Sequence, residues 1–204
     1  MFSLSPDRLN TAEPVGSFVS EGREPGLALS LWLFWVYSFF GYLLEKGYAA
    51  ATRSEREVRK GFLLLPLCPV YGLGVLAVLA LPPPLTESVL SLALWGGLTA
   101  TAVEYAVHWA YAELLGVQFW DYSGVWGNLH GRVCVPFTLA WGLLLAVFLP
   151  RIQPPLSAVL AAVPVPLTYA ALLVFAADAV FSLQLLRLYH DTELLSIRNL
   201  KKAV

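Results

Sequence analysis

Long, almost uncharged stretches alternate along this chain with short connections rich in charge, glycine or proline, and that alternation predicts five membrane-crossing helices. The first runs from about Leu27 to Ala51. The second runs from about Gly61 to Leu81, where Pro82, Pro83 and Pro84 end it. The third covers about Ser88 to Leu115 and is long enough to tilt. The fourth covers about Val133 to Leu149. The fifth stretch, Leu156 to Leu186, is too long for one straight crossing, and Pro164 and Pro166 interrupt it, so its span is expected to begin near Val165. A six-span count is the alternative.

Composition agrees with this division. The chain has 204 residues, 58% of them hydrophobic and only 13% charged, with a mean hydropathy of +0.67. An ordinary soluble domain is about one-quarter charged. Residues 1–26 form a polar tail without the layout of a signal peptide, residues 27–188 the helical membrane domain, and residues 189–204 an amphipathic basic tail suited to an anionic leaflet. No basic domain points to nucleic acid.

Charge placement predicts the orientation. Arg53, Arg56, Arg59 and Lys60 lie between spans one and two, Arg132 between spans three and four, and Arg187, Arg198, Lys201 and Lys202 after span five. The other side holds only Arg8, Arg23 and Arg151. Positive residues mark the cytoplasmic face, so the amino terminus is expected outside and the carboxyl terminus inside the cell membrane, a bacterial inner membrane.

Three acids, Glu45, Glu104 and Asp178, then stand out inside apolar spans. A charge at that depth costs on the order of 2.5–3.5 kcal/mol, so it normally meets a partner, a cavity or a pathway. The predicted orientation puts all three in the cytoplasmic half, together with Cys68, Tyr71 and Cys134. Thr101, Glu104, His108 and Tyr111 recur at helical spacing, and Ser38, Gly41, Glu45 and Tyr48 form a similar stripe on span one. Such stripes suit helices packed around a buried polar site, or a hydrogen-bonded knot that locks the bundle. The connection GVQFWDYSGVWGNLHGR is read as an interfacial or re-entrant cap, or as a surface loop with aromatic anchors. Its Trp120, Asp121, Tyr122 and Asn128 join the candidate site.

Neither cysteine lies at metal-ligand spacing, so no metal or other cofactor is expected, and both read as small packed residues. Glu104 and His108 could form an acid–base pair at i, i+4, yet no nucleophile motif accompanies them. There is no nucleotide-hydrolysis motif, and a non-enzymatic role is favoured over an enzyme.

In order along the chain, YSFFGYLLEKGY, GFLLLPLCPVYGLG, VEY, FWDYSGVWGNLHGRVCV and the late Asp178 resemble the CmpB-type family of ABC-transporter type IV membrane proteins. The resemblance covers roughly residues 30 to 185. It implies a transport permease, with characteristic positions at Glu45, Gly61, Pro66, Cys68, Pro69, Tyr71, Gly72, Glu104, Trp120, Asp121, Tyr122, Asn128, Gly131 and Asp178. His108 and His130 fall outside that motif. The expected fold is therefore an all-α bundle of about five transmembrane helices. Its expected role is a permease-like component whose acids bind an ion, a proton or a polar solute, working as a homo-oligomer or with separate subunits. A membrane-embedded enzyme or lipid-binding protein at the inner leaflet is the alternative, and an accessory subunit a third.

Overall fold

The computed structural model describes residues 26–52 and 61–189. The amino-terminal tail up to residue 25, the basic connection 53–60 and the carboxyl-terminal tail from residue 190 lie outside the described residues, and so do the readings made of them.

Among the described residues, four helices are long and apolar enough to cross a membrane: α1 (Leu27–Thr52), α3 (Val89–Leu115), α4 (Val135–Ala161) and α5 (Val165–Tyr189). The second expected span is different. Helix α2 (Pro69–Leu79) has only 11 residues, which at 1.5 Å each is about half the ~30 Å hydrocarbon thickness. Residues 61–68 are irregular instead of helical. Two prolines account for much of this. Pro66 and Pro69 lack the amide a helix needs and restrict the residues before them, and Pro69 then suits the first position of α2.

The expected fourth and fifth spans also change. Helix α4 continues through Pro150, Pro154 and Pro155 to Ala161, because prolines inside a membrane helix are tolerated where neighbouring groups re-satisfy the backbone. The break comes at Pro164, and α5 starts at Val165 as the proline pattern predicts. Inside α3, residues Leu92–Gly96 adopt a wider π turn.

Close helix contacts rest on glycine. A Cβ on Gly97 would stand 3.0 Å from the Cα of Gly142, and one on Gly142 would collide with the Ala93 carbonyl, so α3 and α4 touch backbone to backbone. Gly72 likewise lets α2 press against Phe34 and Ser38 of α1.

The two larger apolar clusters among the described residues lie at the two ends. Leu33, Val78, Leu92, Leu145 and Leu149 fill one end of the bundle. Tyr111, Leu115, Trp120, Tyr122, Cys134 and Leu186 fill the other, called here the loop end because the 116–134 connection closes it.

That connection is ordered by its own hydrogen bonds. Gly116, at φ 65°, ends α3 in a left-handed cap, with Gly116 N–H donating to the Ala112 carbonyl and Val117 N–H to that of Tyr111. A short hairpin with a three-residue loop, residues 130–132, pairs β1 (Asn128–Leu129) with β2 (Val133–Cys134). The Asn128 side chain donates to the carbonyls of Ser123 and Val125 and accepts from Gly131 N–H.

Candidate functional site

Glu45 sits on the inward stripe of α1, 4% exposed. One turn earlier, Gly41 leaves the space that the Tyr71 ring occupies. From there the Tyr71 hydroxyl donates to Glu45 Oε1. The small residue in the stripe therefore aims the donor at the acid.

Glu104 is 2% exposed on α3. Tyr122 Oη, from the loop, donates to its Oε1 at 3.1 Å, and the Trp141 indole N–H, from α4, donates to its Oε2 at 3.0 Å. Trp141 also meets Tyr71 edge to face, with ring centroids 4.8 Å apart. The two acids thus hold opposite ends of one aromatic bridge, Glu45–Tyr71–Trp141–Glu104, which Tyr122 completes. Helices α1, α2, α3 and α4 and the loop each contribute one member.

His108 lies one turn beyond Glu104 and is 4% exposed. Its Nε2 is 3.0 Å from the Trp120 carbonyl oxygen, and its ring meets the Trp120 ring edge to face at 5.1 Å. A carbonyl can only accept, so Nε2 carries the proton. Nδ1 is buried without a hydrogen-bond partner among the described residues. Trp120 in turn donates its indole N–H to the Arg132 carbonyl at 2.9 Å. His108 accordingly ties the loop to α3.

Asp178 does not join the other two acids. Its two carboxylate oxygens accept from the backbone amides of Leu64 and Leu65 at 3.2 and 3.3 Å. Irregular backbone within a bundle leaves amides that need acceptors, and the carboxylate on α5 supplies them.

Asp121 is exposed and accepts from Ser123 Oγ at 2.6 Å and Ser123 N at 2.8 Å. These bonds, the side-chain one first, hold its pKa below the usual carboxylate value. Asn128 is exposed as well and organises the hairpin. Both shape the loop from outside, while Trp120 and Tyr122 point inward and are buried. Of Trp120, Tyr122 and Trp126, the last, 77% exposed, turns outward as an interfacial anchor would.

Cys68 and Cys134 are not joined in a disulfide, and both are buried. Cys68 packs with Val70 and Tyr71 at the head of α2, and its backbone N–H donates to the Ser38 carbonyl at 2.9 Å. Cys134 lies in the loop-end core. Among the stripe residues, Ser38 and Gly41 are buried with Glu45, whereas Tyr48 is 54% exposed.

Sequence reasoning missed Trp141. A tryptophan in the middle of a span, far from either interface, needs a partner for its N–H, and that was the available signal. It also missed a polar node at the opposite end, where Tyr37 Oη donates to Gln153 Oε1 at 2.7 Å and the Gln153 amide donates to Ser157 Oγ at 2.8 Å. There the Trp32 indole N–H also donates to Thr168 Oγ1 at 2.9 Å.

Comparison with known proteins returns one family. The family described as "Putative ABC-transporter type IV", ABC_trans_CmpB, matches residues 32–183, which takes in every residue of the aromatic bridge. No curated protein and no solved structure matches the chain.

Proposed function

Because this membrane protein belongs to the CmpB-type ABC-transporter type IV family, we propose that it is a permease-like transport component of the cell membrane. Its amino terminus faces out and its carboxyl terminus in, which puts the loop end, with its Arg132, at the cytoplasm. The site is the bridge itself. The observation that carries this reading is the bond set of Glu104, in which a carboxyl group 2% exposed receives donors from two separate elements, Tyr122 and Trp141.

A buried acid reached from several elements can take up a proton or a small cation and report that change to each of them. Neutralising Glu104 weakens both donated bonds. The loop and α4 are then released together, while Tyr71 carries the change to Glu45. These 204 residues carry no nucleotide-hydrolysis motif, so a drive from ATP would come from outside them.

The test is flux through the purified protein in sealed vesicles, with a potential imposed and internal pH read by a trapped dye. Glu104→Gln and Glu45→Gln should each lower proton entry to the level of empty vesicles. Full entry through both variants, with melting temperatures near that of the unsubstituted protein, would remove the acids from the function.

A further inference from the structure

Helices α1 and α4 touch at two points and part between them. At one point Tyr37 Oη donates to Gln153 Oε1 at 2.7 Å. At the other, towards the loop end, the Tyr48 and Phe137 rings meet edge to face with centroids 6.4 Å apart. Tyr37 and Tyr48 are eleven positions apart on α1, about 16 Å along a helix. Between these closures lies a cavity of about 260 Å³. Phe40 and Leu44 form one wall, Leu144 and Phe148 the other, and Tyr71 and Trp141 the floor.

Three properties define what fits. Almost all of the lining is apolar, so no hydrated solute is matched by it. The mouth opens on the sides of two membrane-length helices, where Phe40, Leu44 and Phe148 are 43%, 44% and 52% exposed. The surrounding medium at that mouth is therefore hydrocarbon. Size settles the rest: a helix of a second copy, roughly 10–12 Å across, would displace more than about 1,000 Å³ over this length. Neither the volume nor the two closed ends admits one.

We propose that this slot is a binding site for one acyl chain of a bilayer lipid. The chain enters sideways between Phe40 and Phe148 and ends against Tyr71 and Trp141. Those two rings carry the donors of Glu45 and Glu104 on their far edges. An occupant of the slot thus rests on the bridge without touching either acid. The inference goes beyond the transport reading and does not depend on it.

The experiment uses the full chain in phosphatidylcholine bilayers containing a phosphatidylcholine with a diazirine partway along one acyl chain. After irradiation, adducts are mapped by mass spectrometry. Adducts should concentrate on Phe40, Leu44 and Leu144 and saturate as the labelled lipid increases. Leu173 and Val174, on the exposed face of α5, should label several-fold less and in proportion to the probe.

Leu144→Trp fills the slot and should cut its labelling several-fold while α5 labelling stays constant. Leu44→Trp narrows the mouth from an exposed position, disturbs no buried packing, and should act in the same direction. Labelling of the slot that rises linearly, equals that of α5 and ignores both substitutions would mean ordinary lipid contact and overturn the proposal. Because the readout is labelling, a protein that passes no protons can still support it. Equally, a proton-passing protein with linear slot labelling would lose this site and keep the transport reading.

Discussion

Trp141 donates its indole N–H to Glu104 while its ring rests edge-on against Tyr71, so one side chain of α4 joins the partner of Glu45 to Glu104 itself. Trp141→Phe keeps the ring contact and deletes the donor. A buried acceptor that loses one of its donors costs about 1–3 kcal/mol, and hydrogen bonds in membrane bundles fall towards the lower end. The variant should melt several degrees lower, and Trp141→Phe combined with Glu104→Gln should lose less than the sum of the two. Strict additivity in that double-mutant cycle would show that the two groups do not interact.

Asp178 is predicted to be a backbone cap. Asp178→Asn keeps one acceptor oxygen for the two amides and should cost less than removing both. Asp178→Leu leaves the Leu64 and Leu65 amides without their acceptors and should cost about 1–3 kcal/mol for each group stranded. Hydrogen exchange at Leu64 and Leu65 checks this directly, since protection should fall there before it falls in α3 or α4. Unchanged exchange at both amides in Asp178→Leu would refute the cap.

The contact of α3 with α4 should be intolerant of a single methyl group. Gly142→Ala drives its Cβ into the Ala93 carbonyl, and relief requires the two helices to separate. Overpacking of this kind costs about 1–3 kcal/mol. Gly124→Ala, where a Cβ would meet nothing within 4 Å, is the control and should leave the melting temperature nearly unchanged. Equal melting of the two variants would argue against a backbone-to-backbone crossing.

The Asp121 turn makes a prediction about acid. Its pKa is depressed in the folded loop by the bonds from Ser123. A depressed carboxylate stabilises the fold above its unfolded value and loses that contribution as pH falls through its folded value. The loop should therefore keep this turn at neutral pH and loosen only below the ordinary carboxylate value of 3.8. Ser123→Ala should move the Asp121 titration, followed by its carboxyl carbon resonance, upward towards that value. No movement would show that the turn does not hold the carboxylate.

The long helices were legible because uninterrupted apolar length is the signal a bilayer imposes. Glu104, His108 and Tyr111 were legible for the same kind of reason, since helical spacing put them on one face and all three are buried there. The second crossing was not legible as drawn. Hydropathy sees Gly61–Leu81 as one apolar run and cannot tell irregular backbone from helix, although Pro66 and Pro69 carried that information.

The acids divided for a related reason. Depth along a span can be counted from sequence, but which neighbour a side chain faces depends on helix rotation. Asp178 was therefore grouped with Glu45 and Glu104, whereas it serves residues 61–68. Rings such as Trp120 and Tyr122 gather at membrane interfaces, and sequence alone does not show that both turn inward. Their inward turn depends on the loop folding back on the hairpin, where Tyr122 N–H donates to the Gly131 carbonyl at 2.7 Å.

The cap on residues 61–68 also fixes an order of events. Leu64 and Leu65 leave the ribosome more than a hundred residues before Asp178, the acceptor of their amides. Until α5 has been made, the second crossing has a half-length helix and two amides with no acceptor from that carboxylate. It therefore cannot settle when it is synthesised, as α1 and α3 can. The last helix completes the second, so a nascent chain stopped before Val165 should hold three finished spans and one unfinished one.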